Sequence, residues 1–145
     1  MVIQDFANKR VFLDTAPLIY FLEGHTTFQA VLSELFYFND KGGFVFITST
    51  ITLLEVLVKP IREGRTDIAK QYRQILTNAP GMILLDVTTP IAARAATLRA
   101  QYQLKTPDAI QLAAAMEAGA DCFLTNDKSL KKVSEIPTLS LDELT

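Results

Sequence analysis

Four short stretches constrain this chain more than anything else in it: VFL (11–13), FVFI (44–47), MILL (82–85) and CFL (122–124) are unbroken apolar runs. A strand with one wet face alternates apolar and polar residues, whereas a strand covered on both faces reads as a continuous run. Between the runs lie segments with helical spacing. Phe28, Val31, Leu32, Leu35 and Phe36 share a face, as do Ile68, Tyr72, Ile75 and Leu76, and then Ile91, Ala95, Leu98 and Tyr102. An alanine-rich helix follows from Thr106, and TLSL (138–141) reads as a last short strand. Strands alternating with helices predict a three-layer α/β/α sandwich around a central, mainly parallel sheet of about five strands. Lys41-Gly42-Gly43, Asn78-Ala79-Pro80-Gly81 and Thr88-Thr89-Pro90 read as turns within it, so residues 1–145 are expected to form one domain.

Composition narrows the function classes. With 49% hydrophobic and 21% charged residues the chain has enough apolar material for a proper core. A net charge of −2 supplies no general cationic field for coating nucleic acid. Cys122 is alone and set among apolar neighbours, as expected for a reduced, buried thiol in the cytoplasm. His25 is also alone, which argues against a zinc site or a Ser-His or Cys-His pair. The N-terminus does not read as a signal peptide. Nor does any run approach the roughly 18 apolar residues of a membrane span, so no membrane association is expected.

Open α/β sheets bind ligands at the carboxyl ends of their strands, and acids fall there. Asp14 follows the first run directly, in VFLDTAPLIYFLE, and Asp127 lies just beyond the fourth, in FLTNDKSL. A helix feeding a parallel strand begins at that same edge, which brings Asp108 of LKTPDAIQLAAA to it. Glu55 lies about a turn and a half into the helix after the second run. Each acid also has a plain structural reading. Asp108 suits the first turn of a helix behind a Thr106 cap and Pro107. Glu55 precedes Lys59 by one helical turn, the favourable order for an ion pair. Asp127 suits a turn. Asp14, a charge directly after a buried strand, is harder to place on structural grounds.

The conjunction says more than its parts. Crowded carboxylates repel, and some protonate unless a cation neutralises them. Such oxygens suit Mg2+ or Mn2+, ions that make water more acidic and offset charge on phosphoryl oxygens. Phosphodiester hydrolysis on that plan requires no His, Ser or Cys.

In LDTAPLIYFLE, TITLLEVLV, LKTPDAIQLAAA and FLTNDKSL, taken in order, the chain resembles the PIN-domain ribonucleases, most closely the VapC-type toxins of toxin–antitoxin pairs. The third segment is the most specific of these and the second the least. The resemblance implies a parallel sheet ordered 3-2-1-4-5, which puts Asp86 on the far side; by its own position Asp86 also ends a strand, and nothing in the sequence alone excludes it from the site. It implies Asp14 and Asp108 as principal metal ligands, with Glu55 and Asp127 completing the site directly or through water. Thr125 resembles the family's hydroxyl residue near the last acid; a strand-end threonine with good β propensity is its other reading. The implied reaction is Mg2+- or Mn2+-dependent cleavage of RNA by water, leaving a 5′-phosphate and a 3′-hydroxyl. The implied partners are RNA, a small antitoxin protein and a second copy in a homodimer.

Other readings fit less well. A haloacid-dehalogenase-type phosphatase wants a second Asp two residues after the first, where this chain has Ala16. A receiver domain wants an acidic pair near the first strand, and no phosphate-binding P-loop occurs. A PIN-like interaction module without strong catalysis remains the rival, though it has no chemical need for four acids. For RNA contact the basic groups are Lys128, Lys131 and Lys132 beside Asp127, and Lys59, Arg62, Arg65, Lys70 and Arg73 further off. The aromatic segment Phe28, Phe36, Tyr37 and Phe38 reads as core, with part available for a partner.

Overall fold

The computed structural model describes residues 1–145. Five strands, β1 (Arg10–Leu13), β2 (Val45–Ser49), β3 (Met82–Leu85), β4 (Cys122–Thr125) and β5 (Thr138–Ser140), pair in the order β3-β2-β1-β4-β5. All four pairings are parallel. Six helices accompany them: α1 (Thr15–Glu23), α2 (Gln29–Asp40), α3 (Thr50–Arg62), α4 (Thr66–Asn78), α5 (Thr89–Tyr102) and α6 (Thr106–Glu117). The expected sandwich, sheet size and strand order all hold.

Alternation along the central strands builds two cores. Val11 and Leu13 of β1, with Cys122 and Leu124 of β4, pack among Leu18, Leu32, Leu35, Val56 and Tyr72 beneath α1 to α4. Phe12 and Phe123 point the other way, stacked at 5.3 Å between ring centroids, and pack under α5 and α6. On that side Ala109, Ala113, Ala114 and Ala115 are fully buried. Side chains this small bring the α6 backbone close to the sheet, and burial of Leu112 and Leu98 supplies the apolar area. β3 departs from the expectation of strands buried on both faces: Ile83 is 37% exposed, because β3 is an edge strand.

Helix starts determine what stands at the carboxyl edge. Asp14 is the N-cap of α1, its side chain accepting from the Thr15 N–H. Ser49 caps α3 through the Ile51 N–H. The α6 start differs from the sequence expectation. Lys105, not Thr106, occupies the cap position and makes no side-chain cap bond. Thr106 lies inside the first turn, where its hydroxyl accepts from Arg99 Nη1 at 3.0 Å. Thr106 and Pro107 therefore begin the helix, but the threonine does so as a tie to α5.

Candidate active site

Asp14 is held through its backbone and through both carboxylate oxygens. Its backbone N–H donates to Leu124 O of β4 at 3.0 Å, extending the sheet ladder by one residue. Its Oδ1 accepts from the Thr15 N–H at 2.9 Å, and its Oδ2 accepts from Thr125 Oγ1 at 2.8 Å. Burial pushes its carboxyl up to about 6. The two hydrogen bonds pull the other way, while the charges of Asp108 and Glu55 add to the rise.

Asp108 stands half-buried in the first turn of α6. Burial raises its pKa, repulsion from Asp127 and Glu55 raises it further, and Lys105 opposes them. The four acids are thus electrostatic neighbours: Asp14 feels Asp108 and Glu55, and Asp108 feels Asp127 and Glu55. Asp127 is exposed and accepts from the Ser129 N–H and hydroxyl, at 3.0 and 2.6 Å. Thr125 links it to Asp14. The Thr125 hydroxyl donates to Asp14 and accepts the Asp127 N–H at 3.0 Å. Asp86 is exposed beyond edge strand β3, with β2 between it and β1.

Two charge expectations are corrected. Glu55 forms no ion pair with Lys59; its Oε1 accepts instead from the Thr15 hydroxyl at 2.6 Å. An exposed helical pair is worth little, and the donor that holds the carboxylate instead is Thr15, the residue next to Asp14. The basic zone beside Asp127 is also weaker than its sequence suggests. Lys128 pairs with Asp142 at 2.8 Å and Lys131 with Glu143 at 2.5 Å, which leaves Lys132 exposed and unpaired.

Behind the acids lies a polar cluster that the sequence reading did not single out. Thr15, Thr48, Ser49, Thr52 and Gln111 are linked by hydrogen bonds, the last four of them buried. Gln111 was the available signal: an amide on a helix face otherwise made of alanine and leucine has to find partners inside.

The donor set at this edge consists entirely of carboxylate and hydroxyl oxygens, and no ion pair neutralises any of the four acids. No three His, Cys, Asp or Glu side chains enclose a ready-made cage. Oxygen donors of this kind fit a small hard cation that keeps several waters and takes one or two carboxylates directly. They do not fit a structural zinc site.

A parallel α/β/α sandwich with acids gathered where β1 and β4 end defines the class of molecule. Within that class, the PIN domain family model matches residues 11–136, and the chain belongs to this family. No curated protein matches it by sequence. Among solved structures, VapBC2 from Rickettsia felis, bound to a promoter DNA fragment, superposes with a TM-score of 0.71 at 14% identity, over 90% of this chain and 98% of that one. A toxin–antitoxin complex from Klebsiella pneumoniae gives 0.65 at 23% identity, over 90% and 97%. VapC20 from Mycobacterium tuberculosis, described as a toxin cleaving the sarcin-ricin loop, gives 0.64 at 16% identity, over 78% and 86%. At these identities the likeness is one of fold.

Proposed function

We propose that this chain is a metal-dependent endoribonuclease that hydrolyses RNA phosphodiester bonds, and that it is the toxin of a toxin–antitoxin pair. The observation that carries the reading is Asp14: a carboxylate anchored at the end of a central strand, crowded by Asp108 and Glu55, and paired with no basic side chain. Asp14 and Asp108 hold Mg2+ or Mn2+, and Glu55 and Asp127 contribute directly or through water. When bound, the ion supplies Lewis acidity, making water more acidic and offsetting negative charge on the phosphoryl group. Thr125 orients Asp14 through the 2.8 Å bond, and Lys132 is the free cation beside Asp127 for backbone phosphate. The chain acts as one domain in the cytoplasm, as a homodimer held in check by a small antitoxin; no helix is long and apolar enough to cross a membrane.

Membership in the PIN family supports the nuclease reading, and the toxin–antitoxin complexes among its structural neighbours support the pairing. A second reading, an interaction module with little catalysis, draws on an exposed apolar strip along α3, where Leu54 and Ile61 are each 60% exposed. One set of measurements separates the two. Purified protein is expected to cleave cellular RNA, to stop in EDTA and to resume with Mg2+ or Mn2+. Its expression is expected to arrest growth, and Asp14→Asn to relieve the arrest and lower cleavage by about a hundredfold or more. Cleavage that persists in EDTA removes the metal mechanism. Wild type and Asp14→Asn that are equally harmless, while both bind a partner, favour the interaction module.

A further inference from the structure

The carboxylates of the acidic edge do not account for the polar cluster buried between the ends of β1 and β2, α3 and α6. Thr48, Ser49 and Thr52 are fully buried and Gln111 is 1% exposed. For packing alone, valine and leucine would serve at Thr52 and Gln111 without any polar group to satisfy. The direction of their hydrogen bonds shows where the cluster leads.

Gln111 Nε2 carries protons and no lone pair, so it donates to Thr52 Oγ1 at 2.6 Å. Ser49 sets the orientation of that amide. Its Oγ accepts the Ile51 N–H at 3.1 Å and gives its own proton to Gln111 Oε1. The Thr48 hydroxyl donates between two acceptors, the Leu13 carbonyl at 2.7 Å and Thr52 Oγ1 at 2.8 Å. Thr52 therefore accepts from both Gln111 and Thr48, and its own proton is left for its remaining hydroxyl neighbour, Thr15 at 3.3 Å. The Thr15 proton is committed to Glu55 Oε1 at 2.6 Å, so the Thr15 oxygen is open to accept from Thr52. The chain closes in one direction, from amide to hydroxyl to hydroxyl to carboxylate.

We propose that Gln111 and Thr52 are positioning residues that hold the Glu55 carboxylate at the acidic edge through Thr15. Glu55 is exposed, has no ion pair, and its single side-chain hydrogen bond is the one from Thr15. A proton delivered from Thr52 keeps the Thr15 hydroxyl pointing at Glu55, because the oxygen end of Thr15 is already occupied. The relay also ties α6, which carries Asp108 three residues before Gln111, to α3, which carries Glu55. The proposal rests on the reading of Glu55 as part of a metal site.

Calorimetric titration with Mn2+ tests it. Thr52→Val and Gln111→Met are expected to weaken Mn2+ binding about tenfold, the low end for groups that support a ligand from behind. Thr52→Ser, which keeps the hydroxyl, is expected to bind within about twofold of wild type. In a Glu55→Gln background the Thr52→Val and Gln111→Met losses are expected to vanish, because the relay then has no carboxylate to hold. Thr15→Val, at the half-buried end of the relay, takes the place of Thr52→Val if melting curves show that variant unfolded. Wild-type affinity in Thr52→Val or Thr15→Val overturns the relay, as does a loss that persists in full beside Glu55→Gln. Wild-type protein that neither binds Mn2+ nor cleaves RNA removes the nuclease reading and the relay together. Wild-type binding with unaffected relay variants removes the relay alone.

Discussion

Asp14 and Asp86 are the same residue in the same local setting, and they have opposite surroundings. Each directly follows a parallel strand, and the register Phe12–Ile47 and Ile47–Ile83 carries those two strand ends nearly level. Asp14 ends a central strand, so β4 lies beside it with a Thr125 hydroxyl and a Leu124 carbonyl, and α3 and α6 bring further acids. Asp86 ends the edge strand β3, where only β2 is adjacent, and it stands in water. Place in the sheet order, more than the sequence around the residue, separates a crowded carboxylate from a solvated one.

The sharpest way to break this contrast is to neutralise each acid in turn. Asp14→Asn is expected to lower RNA cleavage by about a hundredfold to a thousandfold, as for other groups that stabilise developing charge. Asp86→Asn is expected to stay within about twofold, with stability changed by less than ~0.5 kcal/mol. Comparable losses in the two, measured as cleavage rate at saturating Mg2+, would erase the distinction drawn from sheet position. Thr125→Val probes the β4 side of the corner. Without the hydroxyl, Asp14 loses one hydrogen bond and its fixed orientation, and the Mg2+ concentration for half-maximal cleavage is expected to rise about tenfold.

The smallest effect is one of pH. The Asp14 carboxyl is raised from 3.8 to about 6, so the folded chain holds that proton more tightly than the unfolded chain does. Its contribution is favourable below the unfolded value and is lost as pH rises through 6. Without metal, the melting temperature is therefore expected to fall by about 5 °C between pH 5 and 7 on account of this group. Asp14→Asn should flatten that dependence and melt higher than wild type at pH 7. A wild-type profile that rises with pH and is unchanged by the substitution would contradict the assigned cause.

Much of this was legible in the chain because covered parallel strands leave a continuous apolar signature. VFL, FVFI, MILL and CFL each mark a strand, and the acids follow from where those strands end. What the sequence hid depends on residues far apart meeting. Nothing near Lys128 or Lys131 announces that Asp142 and Glu143 fold back to pair with them. The Glu55 and Lys59 spacing promised a helical pair, but a hydroxyl from α1 reaches the carboxylate first. Thr106 has the right residue type for a cap, yet the chain enters α6 one residue earlier, at Lys105, and Arg99 claims the hydroxyl. Local spacing shows which contacts are possible, and tertiary neighbours decide among them.

The bond between Thr125 and Asp14 joins residues 111 positions apart, and the backbone bond from Asp14 to Leu124 spans nearly the same gap. A ribosome releases Asp14 early and β4 late. Through most of synthesis the growing chain carries its first acid without the strand that seats it. Chains that stop before β4 therefore carry at most Asp14, Glu55 and Asp108, without Asp127 and without the strand that seats Asp14. The acidic edge is assembled only in copies translated past β4.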